Sequence, residues 1–298
     1  MRWMTYLSAA TLALGLAAPA AGPAEAADDT ITMTVTDVSG LEQLRRDWDA
    51  FSTLLRDKTG SEVEFAPVTS RTASVELLKS EKVDFVLTGP AEFVVMNKLT
   101  DAQPVLGFSR PDYFSAIITM ADSGVTSMSD LKGKKVAVGD IGSTSSHLGP
   151  SQLLMDYGID PMEDVELVHT TQKIGLESLR RGDIAAWGTN YMDDYLRLRG
   201  KSDLAPGAFR VIARGPDLPN DVLLAGTHVD DAMIKAVREA IVGSSDQFVQ
   251  AVVQKGGEEN KKYKGMKFIA NVDSGDYEYV REAYRTIDRP RFAEFVGN

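Results

Sequence analysis

Cysteine is absent from the 298 residues. That excludes thiol nucleophiles, disulfides, cysteine-ligated zinc and iron–sulfur clusters. Histidine occurs three times, at His147, His169 and His228. No His-x-x-x-His pair is formed, so neither a catalytic metal nor another cofactor is expected. Positive charge is in deficit: 32 Lys and Arg against 43 Asp and Glu give a net charge of −11. An acidic chain of this kind is not expected to bind nucleic acid. Long apolar runs are missing beyond residue 26, so no membrane span is expected there. Three familiar loops are missing too. Gly139-Asp-Ile-Gly142 lacks dinucleotide-binding spacing, Gly133-Lys134-Lys135 precedes its strand and lacks the Ser/Thr of a phosphate loop, and Gly142-Ser-Thr-Ser-Ser146 is not a G-x-S-x-G elbow.

What is present begins with an export pattern. Arg2, the apolar stretch Leu7 to Ala18 and Ala24-Glu25-Ala26 read as a cleavable signal over 1–26. The remaining length suits two domains of ordinary size. Strand and helix patterns then alternate. Ile31 to Val35 reads as a strand, and Leu41, Leu44, Trp48, Phe51 and Leu55 mark one helix face that stops at Gly60. Further strands are expected at 62–65, 83–87, 114–120, 136–138, 165–168, 184–187, 209–213 and 222–225. Helices lie between them, and one long helix is expected from Asp230 to about Gln254. The alternation predicts an α/β fold with mostly parallel sheets. The basic run Lys261-Lys262-Tyr263-Lys264 and the pair Asp193-Asp194 read as solvated surface.

The stretch Val136-Ala-Val-Gly139-Asp-Ile-Gly142-Ser143-Thr144-Ser145 is the chemical focus. A short apolar strand runs into a glycine-hinged turn and a helix that opens on three hydroxyls. Glycine lets a ligand approach the backbone, and Ser/Thr are N-cap types. A helix start presents free N–H groups to an anion. Comparable polar strand ends follow elsewhere: Thr88-Gly89, Thr170 to Lys173, and Thr189-Asn190-Tyr191. In open α/β sheets such carboxyl ends face the ligand. Arg71 begins a helix and is expected to add one full positive charge to the site. Tyr113, just ahead of the Phe114–Met120 strand, joins the candidate ligand-binding set.

Four stretches carry a family resemblance: DLKGKKVAVGDIGSTSSHLGP over Asp130–Pro150, LKSEKVDFVLTGP over Leu78–Pro90, Trp48 to Gly60, and GPDLPND over Gly215–Asp221. Through them the chain resembles the periplasmic substrate-binding proteins of ABC importers for phosphonate and phosphite. The resemblance implies a type II periplasmic-binding-protein fold: two α/β lobes, a ligand cleft between them and closure by hinge motion. On that basis lobe 1 would be 28–115 plus 222–298, lobe 2 would be 119–216, and the hinge crossings would lie near 115–119 and 216–222. The family's Ser-Thr-Ser anion grip falls on Ser143, Thr144 and Ser145. Two family aromatics fall on Arg71 and Thr88, and a family histidine falls on Gln172. Fewer rings and an added arginine imply a smaller or more highly charged oxyanion, such as phosphite or phosphate. The implied protein is a non-enzymatic, periplasmic monomer that hands a phosphorus oxyanion to an ABC permease. A membrane sensor kinase as partner, and a secreted serine hydrolase using Ser145 or Ser146, are the alternative readings.

Overall fold

The computed structural model describes residues 30–37, 40–71, 73–200 and 203–287; the signal expected over 1–26 lies outside them. Eleven strands are described: β1 Ile31–Val35, β2 Val63–Phe65, β3 Phe85–Thr88, β4 Gln103–Phe108, β5 Phe114–Met120, β6 Lys135–Val138, β7 Glu166–His169, β8 Ala186–Asn190, β9 Phe209–Asp217, β10 Asp221–Ala225 and β11 Phe268–Ile269. The helices are α1 Leu41–Thr59, α2 Ala73–Lys79, α3 Pro90–Thr100, α4 Gly149–Asp156, α5 Gln172–Arg181, α6 Arg197–Arg199, α7 Asp231–Gly243, α8 Ser245–Val253 and α9 Glu278–Thr286. None of the described helices is long and apolar enough to cross a membrane.

The strands form two sheets, ordered β11-β4-β10-β3-β1-β2 and β7-β6-β8-β5-β9. Both are mixed, which corrects the mostly parallel expectation. β1 runs parallel to β2 and β3, and β6 parallel to β7 and β8. β10, β4, β11, β5 and β9 pair antiparallel. The antiparallel strands are mostly those flanking the passages between sheets, where the chain reverses instead of making a helical crossover. The chain leaves the first sheet over 109–113 and returns over 218–220. The first passage therefore precedes the expected 115–119, because Phe114–Met120 belongs wholly to the second sheet.

Each sheet is buried on both faces, and alternation along the strands shows why. On β10, Leu223 and Ala225 enter one core while Val222 and Leu224 enter the other. On β5, Ile117 faces one core and Ala116 and Ile118 the opposite one. Helix α1 buries Leu44, Trp48, Phe51 and Leu55 at the spacing its sequence predicts. It ends at Gly60, which takes φ of +80°, a conformation glycine adopts without steric cost. Trp48 meets Phe51 edge-on, with ring centroids 5.5 Å apart. Burying one such side chain contributes about 2–3 kcal/mol.

Three local features differ from the sequence reading, which did not anticipate β4. Strand β4 carries Pro104, a residue that weakens a strand reading; the ladder absorbs it at a register shift between Leu223 and Leu224. The long helix from Asp230 is two helices, broken at Ser244. The strand expected over 209–213 is β9, which continues to Asp217.

Helix α9 also reaches across to the second sheet's layer. Thr286 donates to Gln152 Oε1 at 2.5 Å, and Tyr279 donates to Asp156 Oδ2 at 3.3 Å. Leu148 in turn packs with Tyr277, Val280 and Tyr284.

Candidate functional site

A cavity of about 870 Å³ lies between the two sheets. The carboxyl ends of β1, β3, β6, β7 and β8 supply Thr36, Thr88, Ser143, Thr170 and Asn190 to its wall. This follows from the parallel register: β1 and β3 point the same way, as do β6, β7 and β8.

The β6 end departs from a simple capped helix. Thr144–Leu148 forms a π-helical turn that runs straight into α4. The Leu148 N–H reaches the Ser143 carbonyl at 2.9 Å. Ser143 stands at the N-cap but makes no side-chain cap bond; its hydroxyl lies 2.7 Å from Ser146 Oγ. The hydroxyls are therefore not consumed in capping. Ser143, Thr144, Ser145 and Ser146 all line the cavity. The N–H groups that head such a turn have no preceding turn to bond to, and π-turns recur at functional sites.

Neighbours fix each hydroxyl. Thr144 Oγ1 accepts the Ala91 N–H at 3.0 Å, from the first turn of α3 on the opposite wall. Ser145 Oγ accepts from Asn190 Nδ2 at 3.2 Å. The Ser145 carbonyl accepts from Ser115 at 2.8 Å. Gly142 takes φ of +84°, and its N–H donates to His147 Nδ1 at 3.0 Å. The structure does not bring Gly142, an expected ligand contact, to the cavity wall; its N–H is spent on His147 and it serves the turn.

The remaining candidates divide. Arg71, Thr88, Gln172, Asn190 and Tyr113 line the cavity. Thr88 lies 3.2 Å from Thr36, hydroxyl to hydroxyl. Gln172 Oε1 accepts from Trp187 Nε1 at 2.9 Å and from Thr189 at 2.7 Å. Two acceptor bonds on the oxygen leave the Gln172 amide N–H₂ as its donor end. Tyr191, also expected at the site, is not brought to the cavity wall; it stacks on Phe114, centroids 4.9 Å apart and planes 20° apart. As the residue after Asn190 it takes the apolar side of the turn, so of the two Asn190 faces the cavity.

Charge in the cavity is compensated, which the sequence did not reveal. Arg71 pairs with Glu92, so it does not offer a free positive charge. Glu92 foremost raises the Arg71 pKa above its ordinary value. Arg110 pairs with Asp193 and stands 3.6 Å from Asp221 Oδ1. Burial pushes the Asp37 carboxyl up, but Lys262, helped by Arg71 and Arg110, holds it below its ordinary value. The Asp37–Lys262 pair corrects the reading of 261–264 as solvated surface. Tyr263 beside it is buried and donates to Asp221 Oδ2 at 2.6 Å. Asp193-Asp194 is not a solvated face either: burial raises the Asp194 carboxyl to about 6 against the pull of Arg197. Glu92, Arg110, Asp193 and Asp221 were missed because each has an unremarkable local context. Only distant pairing distinguishes them.

The histidines are committed elsewhere. His147 Nδ1 holds Gly142, His169 Nδ1 lies 2.9 Å from the Gly139 carbonyl, and His228 Nε2 lies 3.2 Å from Asp84. Among the described residues none is hydrogen-bonded to Ser145 or Ser146, so a serine–histidine relay is not formed. No cluster of three or more His, Asp or Glu is placed to hold a metal among the described residues.

The family model for the "ABC transporter, phosphonate, periplasmic substrate-binding protein" matches residues 33–272. The chain belongs to this family. The phosphate-import protein PhnD of Mycolicibacterium smegmatis is 30% identical over 148 residues, 47% of this chain and 46% of that protein. The match thus spans about half the length of that relative. PhnD1 of Prochlorococcus marinus, solved with methylphosphonate, shares the fold with a TM-score of 0.67 at 15% identity, covering 88% of this chain and 100% of that one. A phosphonate-transporter binding component from Pseudomonas aeruginosa does so with a TM-score of 0.64 at 17% identity, covering 88% and 87%. The two-sheet α/β architecture is therefore that of periplasmic binding proteins.

Proposed function

We propose that the protein is a non-enzymatic exported binding protein that captures a phosphorus oxyanion, such as phosphite, phosphate or a small phosphonate, for an ABC importer. The observation that carries this is the Ser143–Ser145 run in the cavity wall, with Thr144 and Ser145 buried and the Ser143 hydroxyl free of capping its own turn. Neutral O–H and N–H donors suit an oxyanion in a site whose arginines are already paired. The name of the Mycolicibacterium relative, a phosphate-import protein, supports the same ligand class. Gln172 adds an amide donor, and Thr88 a hydroxyl.

In this reading the lobes are about 30–108 with 221–287, and 114–217. The crossings at 109–113 and 218–220 act as the hinge. Ligand enters the open cleft, Ser143–Ser145 takes the oxygens, and the opposite wall closes on it at contacts such as Ala91 to Thr144. The closed monomer is what the permease recognises. Export through a cleaved signal over 1–26 places it in the periplasm.

A thermal-shift screen with phosphate, phosphite, methylphosphonate, sulfate and arsenate tests the reading. Ligand at 100 times its Kd stabilises the native state by about 2.7 kcal/mol, which raises Tm visibly. Phosphate or phosphite is expected to give the largest shift. No shift with any phosphorus oxyanion sinks the reading, and a shift with methylphosphonate alone removes the preference for the smaller ions.

A further inference from the structure

We propose that Arg110 is the positioning residue of the anion grip, holding in place through Asp193 the Asn190 amide that orients the Ser145 hydroxyl. The proposal rests on the oxyanion reading above. Ser145 Oγ accepts from Asn190, and Tyr113 lines the same cavity. Arg110 holds Asn190 through Asp193 and Tyr113 directly.

Consider Asn190 first. Its Oδ1 accepts the Asp193 N–H at 3.0 Å. Its Nδ2 therefore faces Asp193 Oδ2 at 3.1 Å and Ser145 Oγ at 3.2 Å. The opposite amide orientation would set Oδ1 against a carboxylate and Nδ2 against an N–H, so the orientation is determined. Ser145 Oγ accepts from that amide, which leaves its own proton to donate. The acceptor we assign to that proton is an anion in the cavity. Asp193 Oδ2, on which this arrangement depends, is the atom that pairs with Arg110 Nη2.

Tyr113 is held from the other side. The Arg110 guanidinium carbon lies 3.7 Å from the Tyr113 ring centroid, a stacking that fixes the ring plane. Arg110 is anchored in turn. Its N–H donates to Asn220 Oδ1 at 2.9 Å, and Asp221 Oδ1 lies 3.6 Å from Nη1. Arg110 sits on the first passage between the sheets, Asn220 on the second, and Asp193 on the turn after β8. Arg110 therefore ties both passages to the serine of the grip, its backbone N–H holding Asn220 and its guanidinium holding Asp193. With its charge shared between two carboxylates, Arg110 acts through Ser145 and not as a ligand contact.

Isothermal titration of inorganic phosphate, phosphite and methylphosphonate into the full chain tests this, using Ser145→Ala, Arg110→Lys, Asp193→Ala and the double variants. Asp193 is about one-third exposed (34%), so Asp193→Ala provides a folded route if Arg110→Lys does not fold. Lysine keeps the charge but cannot hold a ring and a carboxylate together. Each single change at 110 or 193 is expected to weaken the best-bound probe roughly 10- to 100-fold. In the Ser145→Ala background the same change is expected to cost less than about twofold, because its route is gone. A full effect persisting in that background overturns the proposal, as does wild-type affinity in Arg110→Lys and Asp193→Ala. If Ser145→Ala alone leaves affinity unchanged, the oxyanion reading itself fails and the proposal falls with it.

Discussion

Arg71 and Glu92 form an ion pair in the cavity wall in which Glu92 is 2% exposed and Arg71 31% exposed. The asymmetry gives the two partners opposite mutational signs. Arg71→Gln strands a buried carboxylate and is expected to destabilise the fold by about 3 kcal/mol, read as a drop in Tm. Glu92→Gln leaves a partly hydrated arginine facing the cavity. It is expected to tighten binding of a doubly charged oxyanion roughly tenfold, by about 1.4 kcal/mol, and to make that affinity more salt-dependent. Titration at low and high ionic strength checks both.

Gly139 is a position where the grip tolerates no side chain. A Cβ there would come within 2.3 Å of Ser146 Oγ and 2.5 Å of Gln172 Nε2. Gly139→Ala is expected to displace both groups and to weaken oxyanion binding by at least about tenfold, roughly one lost charge-assisted hydrogen bond. Titration calorimetry beside circular dichroism distinguishes this from unfolding; a folded variant with wild-type affinity refutes it.

His147 gives the loop an acid limit. Burial, and next the neighbouring His169, lower its pKa from 6.5 to about 3. Folded protein thus keeps this ring neutral where the unfolded chain protonates it. The stability it contributes is present above about 6.5 and is lost as pH falls towards 3. At pH 4.5 the loss is about 2–3 kcal/mol. His147→Gln, whose amide oxygen can still accept the Gly142 N–H, is expected to flatten the Tm profile between pH 6.5 and 4.

Asp194 works in the opposite sense. Burial, opposed by Arg197, raises its carboxyl to about 6 from 3.8. The folded state holds the proton longer than the unfolded chain, so stability falls as pH rises from about 4 to about 6. Asp194→Asn is expected to raise Tm at pH 7.5 and to leave it near wild type at pH 4. Equal shifts at both pH values would contradict this account.

The fold and the grip were legible in the sequence to the extent that their causes are local. An apolar triplet, two glycines and three hydroxyls specify the β6 end within ten residues. Alternating strand and helix periods gave the α/β class. Strand β4 was obscured by Pro104, and the π-turn by hydroxyls that also fit an ordinary N-cap. Side-chain direction after a strand end was not legible either, so Tyr191 and Asn190 could not be told apart. The charge pairs were invisible because their members lie far apart: 83 residues for Arg110 and Asp193, 225 for Asp37 and Lys262. Arg71 looked like a free cation because nothing near it in sequence announces Glu92 as its partner.

The pairing of Arg71, Arg110 and Lys262 with carboxylates has a kinetic consequence. A cavity without surplus cations, in a chain of net charge −11, has no long-range field to draw an anion inward. Encounter is governed by unaided diffusion against a mild repulsion, so the association rate rises with ionic strength, the reverse of a steered site. Discrimination among oxyanions then falls on residence time: the hydroxyls decide how slowly the right ion leaves, while all ions arrive at similar rates.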